Sequence, residues 1–378
     1  MWDSRYDEVF LYFKEEGHKY TDSNGNSYTS VTTLIHDNYV PKFNKKYWLH
    51  KKSKELGISE KQLEKQWQDI TNEACTRGTI THNGLEDAIK EVSIFKKAIQ
   101  YLTKIDDGRV VTVADIPYLN VKPLDIEEFK KATNNKYEEI YRVFKFYIDK
   151  GYTIYSEIGA FLIDYLISGT IDILCIRKQD FVILDWKTNR DGLQFQAGYF
   201  KKDKTCKPHQ RTNEYVLKSE YMLPPLNYLP NCNGYHYTMQ LSIYARMVEL
   251  ILGIPCVGLG LCHIASPFVK NKYGMPYRDE HNQYPIDPNG VEVPTWYRIG
   301  YRRKEADAVL ADRLVKVKAD KYNNIQQKTL FDLWKLEYML NVKVLILKNF
   351  LRKKVMLILI KVIIILILLV FVVTKIIK

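Results

Sequence analysis

Two long apolar runs flank a short polar break near the middle of the chain, and their spacing predicts a buried β-hairpin. The segment reads SGTIDILCIRKQDFVILDWKTNR and covers residues 168–190. A turn centred on Lys178 and Gln179 gives two arms rich in Ile, Leu, Val and Phe. Such near-continuous apolar arms indicate that both faces of the hairpin are buried. Each charge on these arms therefore costs several kcal/mol unless it is paired or binds a metal.

The remaining pattern predicts strands interspersed with helices. Residues 18–35 alternate about an Asn-Gly pair, which is typical of a second hairpin. Helices are predicted over 44–76, 80–92, 127–150, 236–252 and 304–321. Trp48 and Trp67 are the expected core anchors of the first helix, and the next helix is predicted to open after Gly78. Further strands are predicted over 155–158, 160–165, 257–264 and 297–303. This order predicts an α/β (α+β) fold with a central mixed β-sheet flanked by helices.

The chain is predicted to have one large domain and a tail. The domain covers residues 1–320 and contains a polar insertion over 190–235. The tail covers 321–378, and its stretch from 355 to 373 is apolar except for Lys361. As a helix that stretch would span roughly 29 Å, enough to cross a bilayer core. Two interpretations stay open: a C-terminal membrane anchor, or a tail translated beyond the natural end of the domain.

The net charge of +12 suggests a polyanionic partner, but much of that charge lies in the tail. Beyond Glu337 the chain has seven Lys, one Arg and no acidic residue, which leaves +4 (12 minus 8) for residues 1–337. A nucleic-acid surface on the body must therefore be local. The aromatic content of 13% excludes a disordered, linker-like protein.

Cysteine usage and the N-terminus predict a compartment. The six cysteines are scattered without a C-x-x-C pair, so their spacing favours neither a zinc nor an iron–sulfur site. The N-terminus MWDSRYDEVF lacks the pattern of a signal peptide, so we expect reduced thiols in the cytoplasm. The sequence has no G-x-x-x-x-G-K-[ST] segment, which argues against an ATP-driven motor.

Three ionisable residues meet at the open end of the predicted hairpin. Asp172 and Asp185 each lie six residues from the turn, so they face each other with Cβ atoms roughly 5 Å apart. Lys187, two residues further on, points to the same face. The rest of that face carries Leu174, Ile176, Phe181 and Ile183. Two carboxylates this close raise each other's pKa unless a cation lies between them, and such oxygen ligands suit Mg²⁺ or Mn²⁺. An ion pair neutralised by Lys187 is the competing interpretation.

Two further pairs are spaced four residues apart on predicted helices. His82 and Glu86 share one helix face, and a neutral imidazole can join carboxylates as a metal ligand. Gln240 and Tyr244 share a face of the helix over 236–252. A lone histidine is more often structural, and an isolated Q-x-x-x-Y is common by chance. The order of these residues is therefore more informative than either pair.

Along the chain stand G-T-x-x-H-x-x-x-E, then S-E, G-T-x-D, D-x-K and Q-x-x-x-Y. This order resembles the PD-(D/E)XK nuclease superfamily, in the RecB-like branch of bacterial recombination nucleases and phage exonucleases. The resemblance covers about residues 18–265, and His18, Tyr20 and Ser30–Thr33 look like the phage-type members. The chain departs from the family pattern in lacking a proline before Asp172, a departure that many members share.

The resemblance implies a restriction-endonuclease-like core and a role for each matched residue. The residues that match the metal ligands, for Mg²⁺ or Mn²⁺, are His82, Asp172 and Asp185. Lys187 looks like the catalytic lysine, and Glu157 matches the acidic residue on the strand that leads into the core. Gln240 and Tyr244 look like the helix motif that supports the site and the nucleic-acid strand.

These features predict a metal-dependent DNA nuclease, with a phage-type exonuclease in replication, recombination or repair as the first interpretation. A structure-specific or restriction-type endonuclease is the alternative on the same core. A non-catalytic DNA-binding module is a third, and the intact set of Asp172, Asp185 and Lys187 argues against it. Expected partners are DNA and other replication or recombination proteins, in an infected bacterial host if the chain is viral. The predicted nucleic-acid contacts are Lys201, Lys202, Lys204, Lys207 and Arg211.

Overall fold

The computed structural model describes residues 5–95, 97–98, 108–323 and 335. The chain divides into two compact units, Met1–Leu314 and Val315–Lys378. In the second unit the described residues, 315–323 and 335, are helical. The predicted apolar segment 355–373 lies outside the described residues. Within the described ranges, no helix is both long enough and apolar enough to cross a membrane.

The first unit is built on an eight-stranded mixed sheet and a separate two-stranded sheet. The strands of the large sheet are β1 Leu11–Lys14, β2 Lys19–Asp22, β3 Ser27–Ser30, β4 Thr153–Leu162, β5 Ile167–Ile176, β6 Phe181–Lys187, β9 Cys256–Ala265 and β10 Val293–Ile299. The small sheet pairs β7 Gly198–Asp203 with β8 Gln210–Leu217. The helices are α1 Arg5–Glu8, α2 Val31–Asn38, α3 Lys45–Leu56, α4 Glu60–Val92, α5 Ile126–Ala132, α6 Glu138–Asp149 and α7 Asn233–Leu252, with a 3₁₀ helix over Val113–Tyr118. Residues 303–323 are also helical.

The large sheet runs in the order β1-β2-β3-β5-β6-β9-β10, and β4 pairs with β5. The β3–β5 and β6–β9 pairs are parallel, and the others are antiparallel. Apolar side chains on one sheet face pack with α2 and α7, and those on the other face pack with α4, α5 and α6. The predicted fold class, a central mixed sheet flanked by helices, is confirmed.

The central hairpin β5–β6 forms in the predicted register. Its ladder ends at the pair of Ile176 with Phe181, and the backbone N–H of Arg177 donates to the carbonyl of Asp180 at 3.0 Å across the turn. The face predicted to carry Leu174, Ile176, Phe181 and Ile183 packs into the core beneath α7. The alternate residues Val182, Leu184 and Trp186 belong to the opposite core. Both arms are apolar throughout because each face of the sheet is covered.

The predicted break in the second helical region is wrong, because α4 runs unbroken from Glu60 to Val92. Its start is set by Ser59, whose side chain accepts from the backbone N–H of Gln62 in a capping box. Gly78 lies inside the helix, and a Cβ there would approach the Thr188 hydroxyl oxygen at 3.1 Å. This glycine allows the helix to approach the chain that follows β6, and it does not end the helix.

Several other predicted boundaries are also wrong. Residues 31–35 belong to α2, because the Ser30 hydroxyl accepts from the backbone N–H of Thr33 and starts a helix there. The predicted helix 127–150 is split by Asn134 and Asn135, both of which have left-handed backbone angles. The two strands predicted over 155–165 are the single strand β4. An Asn-Asn pair was the available signal for the split, since asparagine tolerates this conformation better than most residues.

Two predicted core anchors and one predicted loop also differ from the structure. Trp48 is 37% exposed, and Trp67 is half-buried against Phe43. They lie on α3 and α4, outside both main cores. The polar insertion over 190–235 contains the β7–β8 hairpin and the first residues of α7. The segment is polar because most residues of this two-stranded sheet are exposed or half-buried.

We predict that Gly169→Ala destabilises the fold. A Cβ at Gly169 would lie 2.3 Å from the hydroxyl oxygen of Tyr244, which is only 3% exposed. The free energy of unfolding in urea should fall by about 1–3 kcal/mol, because an overfilled core has to shift. Gly258→Ala is the matched control, since the nearest side-chain atom there lies at an ordinary 3.5 Å. Equal losses in the two variants would contradict this account.

Candidate metal centre

Three carboxylates form a row across adjacent strands of the central sheet. Glu157 on β4 stands opposite Asp172 on β5, because the ladder pairs the residues on both sides of them in one register. The β5–β6 ladder, continued by one pair, sets Asp172 opposite Asp185. The backbone N–H of Trp186 donates to Asp172 Oδ2 at 2.9 Å. The sheet therefore concentrates acid groups at one place on its surface.

Helix α4 brings a histidine to this row. The Nδ1 atom of His82 lies 3.5 Å from Asp172 Oδ2. One ligand atom each from His82, Glu157 and Asp172 lies within 4.8 Å of the other two. One nitrogen and two carboxylate oxygens at this separation fit a divalent cation such as Mg²⁺ or Mn²⁺. The sequence-based ligand set has Asp185 in place of Glu157, so the structure adds Glu157 to the candidate ligands.

Asp185 instead forms an ion pair with Lys187. Both side chains are enclosed, with exposed fractions of 2% for Asp185 and 13% for Lys187. The Lys187 ammonium group also lies 4.5 Å from the centre of the Tyr237 ring on α7, a cation–π contact. Lys187 is therefore held at the edge of the carboxylate row, with its charge balanced by Asp185 and shielded by an aromatic face.

Burial and mutual repulsion shift the titration of the acid groups upward. Burial, together with the charge of Asp172, raises the pKa of Glu157 to about 9 and that of Asp185 to about 7. Burial also raises the pKa of Asp172. Burial lowers the pKa of Lys187, but Asp185 and Asp172 raise it more, so the net shift is upward. A bound cation would relieve the cost of ionising these carboxylates, so their titration fits a metal site.

The backbone at Glu157 is strained. Its φ angle of 51° lies in the left-handed region, inside a strand that is otherwise extended. A non-glycine residue there costs roughly 1–2 kcal/mol, and such strain tends to cluster at functional sites. Beside this point Thr112 forms a parallel bridge with Gly159 of β4, and the Gly159 N–H donates to the Val111 carbonyl at 2.8 Å. This bridge and the β4–β5 ladder flank the unusual conformation on both sides of β4.

The predicted helix pair lies behind the carboxylate row. Gln240 and Tyr244 lie one turn apart on α7. Tyr244 packs against Gly169 at the start of β5 and is closed to solvent, whereas Gln240 lines the open cleft. Tyr244 therefore positions β5, and Gln240 is the member of the pair that a ligand in the cleft can reach.

A cleft of about 610 Å³ opens beside the carboxylate row. Its lining includes His82, Lys187, Gln240, Tyr237 and Arg190. One wall comes from α4, another from α7, and the floor from the chain that leaves β6. A strand or small ligand in this cleft would lie directly against the histidine and the lysine.

The predicted nucleic-acid contacts lie outside this cleft, on the β7–β8 hairpin and its turn. Lys201 is ion-paired with Glu214, and Arg211 is ion-paired with Asp191. Lys202 shares no ion pair with a described carboxylate. Two cavities lie next to the cleft. One is lined by Lys201, Lys202, Lys204 and Arg211, and the other by Lys202 and Lys207. These cations therefore do not contact the carboxylate row, and they line spaces that border the cleft beside it.

Sequence reasoning missed Tyr237 and assigned no role to Lys90. Tyr237 covers Lys187, and its hydroxyl accepts from the Asn189 side chain at 2.9 Å. The signal was present, because Tyr237 lies three residues before Gln240 on the same helix face. Glu86 lies one turn beyond His82 on α4 and forms an ion pair with Lys90. The charge of Lys90 lowers the pKa of Glu157, but burial and the neighbouring carboxylates raise that pKa more.

Comparison of the chain with protein-family models, with curated proteins and with solved structures found no match. The geometry of the site therefore carries the functional argument.

The acid row predicts an unusual pH dependence of stability without metal. The folded pKa values of Glu157 and Asp185 lie above their ordinary values, so folded protein holds these protons more tightly than unfolded protein. The stability they contribute is full below about pH 4 and is lost as the pH rises through about 7 and then 9. In EDTA the melting temperature should therefore fall between pH 5 and pH 9 more steeply in the wild type than in Glu157→Gln. Mn²⁺ should restore it most at high pH. Parallel curves for the two proteins would contradict the raised pKa of Glu157.

His82→Ala should weaken Mn²⁺ binding without abolishing it, because the carboxylate oxygens remain. Isothermal titration calorimetry at pH 7.5 measures this directly. His281→Ala is the matched control, since His281 is exposed and far along the chain from the row. If His82→Ala binds Mn²⁺ as the control does, His82 is a structural residue.

Proposed function

We propose that this protein is a metal-dependent DNA nuclease. The observation that carries the proposal is the row of Glu157, Asp172 and Asp185 across three strands, with His82 on one side and Lys187 on the other. Phosphodiester hydrolysis needs an activated water, neutralisation of the phosphate charge and support for the leaving oxygen. The donor set and the lysine at the cleft match those needs.

The carboxylates and His82 would hold the metal ion. When bound, a Mg²⁺ or Mn²⁺ ion supplies Lewis acidity to the phosphate and lowers the pKa of a coordinated water. Asp172 is fixed for this role by the backbone N–H of Trp186 and by its two strand neighbours. His82 keeps a neutral ring, because burial and the nearby Lys187 lower its pKa. A neutral imidazole is the form that ligates a metal.

Lys187 is proposed to stabilise charge on the reacting phosphate. Its upward pKa shift keeps the ammonium group protonated near neutral pH, which favours an electrostatic role over that of a general base. Tyr237 and Asp185 restrict the side chain, so little reorganisation is needed when substrate binds. Gln240, on the wall of the cleft, is placed to contact the nucleic-acid strand or the attacking water.

An exonuclease acting in DNA replication, recombination or repair is the preferred form of this proposal, on the resemblance to phage-type members. The same site also serves endonucleases, so the product pattern decides between them. End-labelled linear DNA and closed circular DNA are incubated with the full chain and Mg²⁺ or Mn²⁺. Digestion from ends with circles spared supports the exonuclease, and linearised circles support the endonuclease.

We expect Asp172→Asn, Asp185→Asn and Lys187→Gln each to lower the rate of cleavage by at least 10²-fold while the protein stays folded. The estimate for Lys187 follows from the loss of about 10²–10³-fold when one charge-stabilising donor is removed. Asp172→Asn removes a candidate metal ligand, and Asp185→Asn removes the ion-pair partner of Lys187. Both changes also remove repulsion within the row, so the protein should stay folded. Rates on linear DNA and melting temperatures are measured together.

Lys178→Gln is the matched control for Lys187→Gln, since it lies in the turn at the far end of the same hairpin. It should cleave at the wild-type rate. Wild-type turnover in any of the three site variants would refute the assignment of that residue.

A further inference from the structure

A second cavity, of about 670 Å³, adjoins the cleft beside the carboxylate row, which we call the metal cleft. This cavity carries an excess of positive charge. Its cationic lining residues are Lys52, Arg190, Lys202, Lys207 and Arg278. Two carboxylates also line it, but Glu55 is ion-paired with Lys52, and Glu280 is largely exposed beside His281. The cavity therefore keeps several cations that no described carboxylate neutralises.

The cavity is a built feature, because four hydrogen bonds and the ion pair of Lys272 with Asp203 tie segment 266–285 to the β7–β8 hairpin. The Gln210 side chain donates to the Arg278 carbonyl at 2.5 Å and accepts from its N–H at 2.9 Å. The Asn271 side chain donates to the Arg211 carbonyl at 2.9 Å. The Tyr273 hydroxyl donates to the Asp203 carboxylate at 2.9 Å. These contacts fix the backbone of Arg278 against the hairpin, at the edge of the cavity that its side chain lines.

The charges in this cavity repel one another. Lys202 also stands directly opposite Arg211 in the β7–β8 ladder, a placement that is unfavourable for like charges, although Arg211 lines the neighbouring cavity. The Nε atom of Arg278 is buried without a hydrogen-bond partner, and no described carboxylate forms an ion pair with it. Partial burial lowers the pKa of Arg278, and the charge of Arg190 lowers it further. An anion in the cavity would satisfy these groups together.

Arg190 connects the cavity to the metal cleft. It lies three residues after Lys187 and lines both spaces. Its guanidinium lies 3.9 Å from the centre of the Tyr284 ring, which also lines the cavity, as does the half-buried Trp67. Cations interleaved with aromatic rings form the surface on which a single nucleic-acid strand binds, with phosphates on the cations and bases on the rings.

In the cavity that Arg190 joins to the metal cleft, we propose that Lys202 and Arg278 bind backbone phosphates of a single nucleic-acid strand that continues from the cleft. This inference rests on the proposed function for the identity of its ligand, but binding at the cavity is separable from cleavage at the row. It also narrows the predicted contact set, because Lys201 and Arg211 already have carboxylate partners.

The test measures binding of a fluorescent single-stranded oligonucleotide by anisotropy, in Ca²⁺ buffer, over a range of KCl concentrations. The double variant Lys202→Gln/Arg278→Gln removes two cavity charges. Lys145→Gln/Lys178→Gln is the matched control, since it removes two charges from exposed positions away from the cavity. The single variant Lys202→Gln is on an exposed strand residue and guards against misfolding of the double variant.

The double variant should flatten the slope of log K against log salt by about 1.4, since each of the two phosphate contacts on a single strand contributes roughly 0.7. Lys202→Gln should show about half of that change, and the control should match the wild type. Equal slopes for the double variant and the control would overturn the proposal, as would absence of oligonucleotide binding by the wild type. Displacement of the oligonucleotide by inorganic phosphate, at matched ionic strength, would also overturn it by indicating a site for free phosphate.

Asp185→Asn distinguishes this inference from the proposed function. That variant should lose cleavage but keep the wild-type salt slope. If the wild type binds with the predicted slope and never cleaves, the cavity proposal stands and the nuclease proposal fails. If the wild type cleaves and the double variant keeps the full slope, the reverse holds.

Discussion

One sheet register brings three carboxyl groups together, and their mutual repulsion is the constraint that the surrounding residues have to offset. Glu157, Asp172 and Asp185 lie side by side on adjacent strands, where Asp185 is buried and the other two are half-buried, so water screens their charges only in part. Lys187 neutralises one of them. The remaining charge is unfavourable unless the groups hold protons or share a cation. A protein with only structural needs would gain stability by replacing this row with apolar residues.

The elements around the row are arranged to hold it without relaxing it. Helix α4 is long and unbroken, so His82 is carried on a rigid element that packs through Leu85 and Ile89 into the core. Helix α7 packs Tyr244 against Gly169 and leaves no space for β5 to shift. Sites on helices and strands keep their geometry better than sites on loops. Here two helices and three strands hold the candidate ligands and the lysine.

Charge outside the row is organised around Asp191. Its carboxylate is paired with Arg190 at 3.1 Å and is also paired with Arg211 of the β7–β8 hairpin. Burial raises the pKa of Asp191, but the two guanidinium groups lower it more, so the net shift is downward. One acid group therefore joins the cleft to the hairpin, and Lys202 and Arg278 are left without such a partner. Arg190 and Arg211, which Asp191 holds, therefore have a structural role. Lys202 and Arg278, which have no such partner, are the candidate phosphate contacts.

The sequence by itself determined the central hairpin, its register and the face shared by Asp185 and Lys187, because strand periodicity is local and the turn is short. It also determined the extent of α7 closely, since Gly253 ends that helix in the left-handed conformation. It did not determine the continuity of α4, because a glycine that permits a close contact with Thr188 looks the same as a glycine that ends a helix. Only the tertiary structure decided that Glu157 joins His82 and Asp172, that Tyr237 covers Lys187, and that Arg278 meets Lys202. Each of these depends on a contact between segments far apart in the chain, and no local periodicity encodes such contacts.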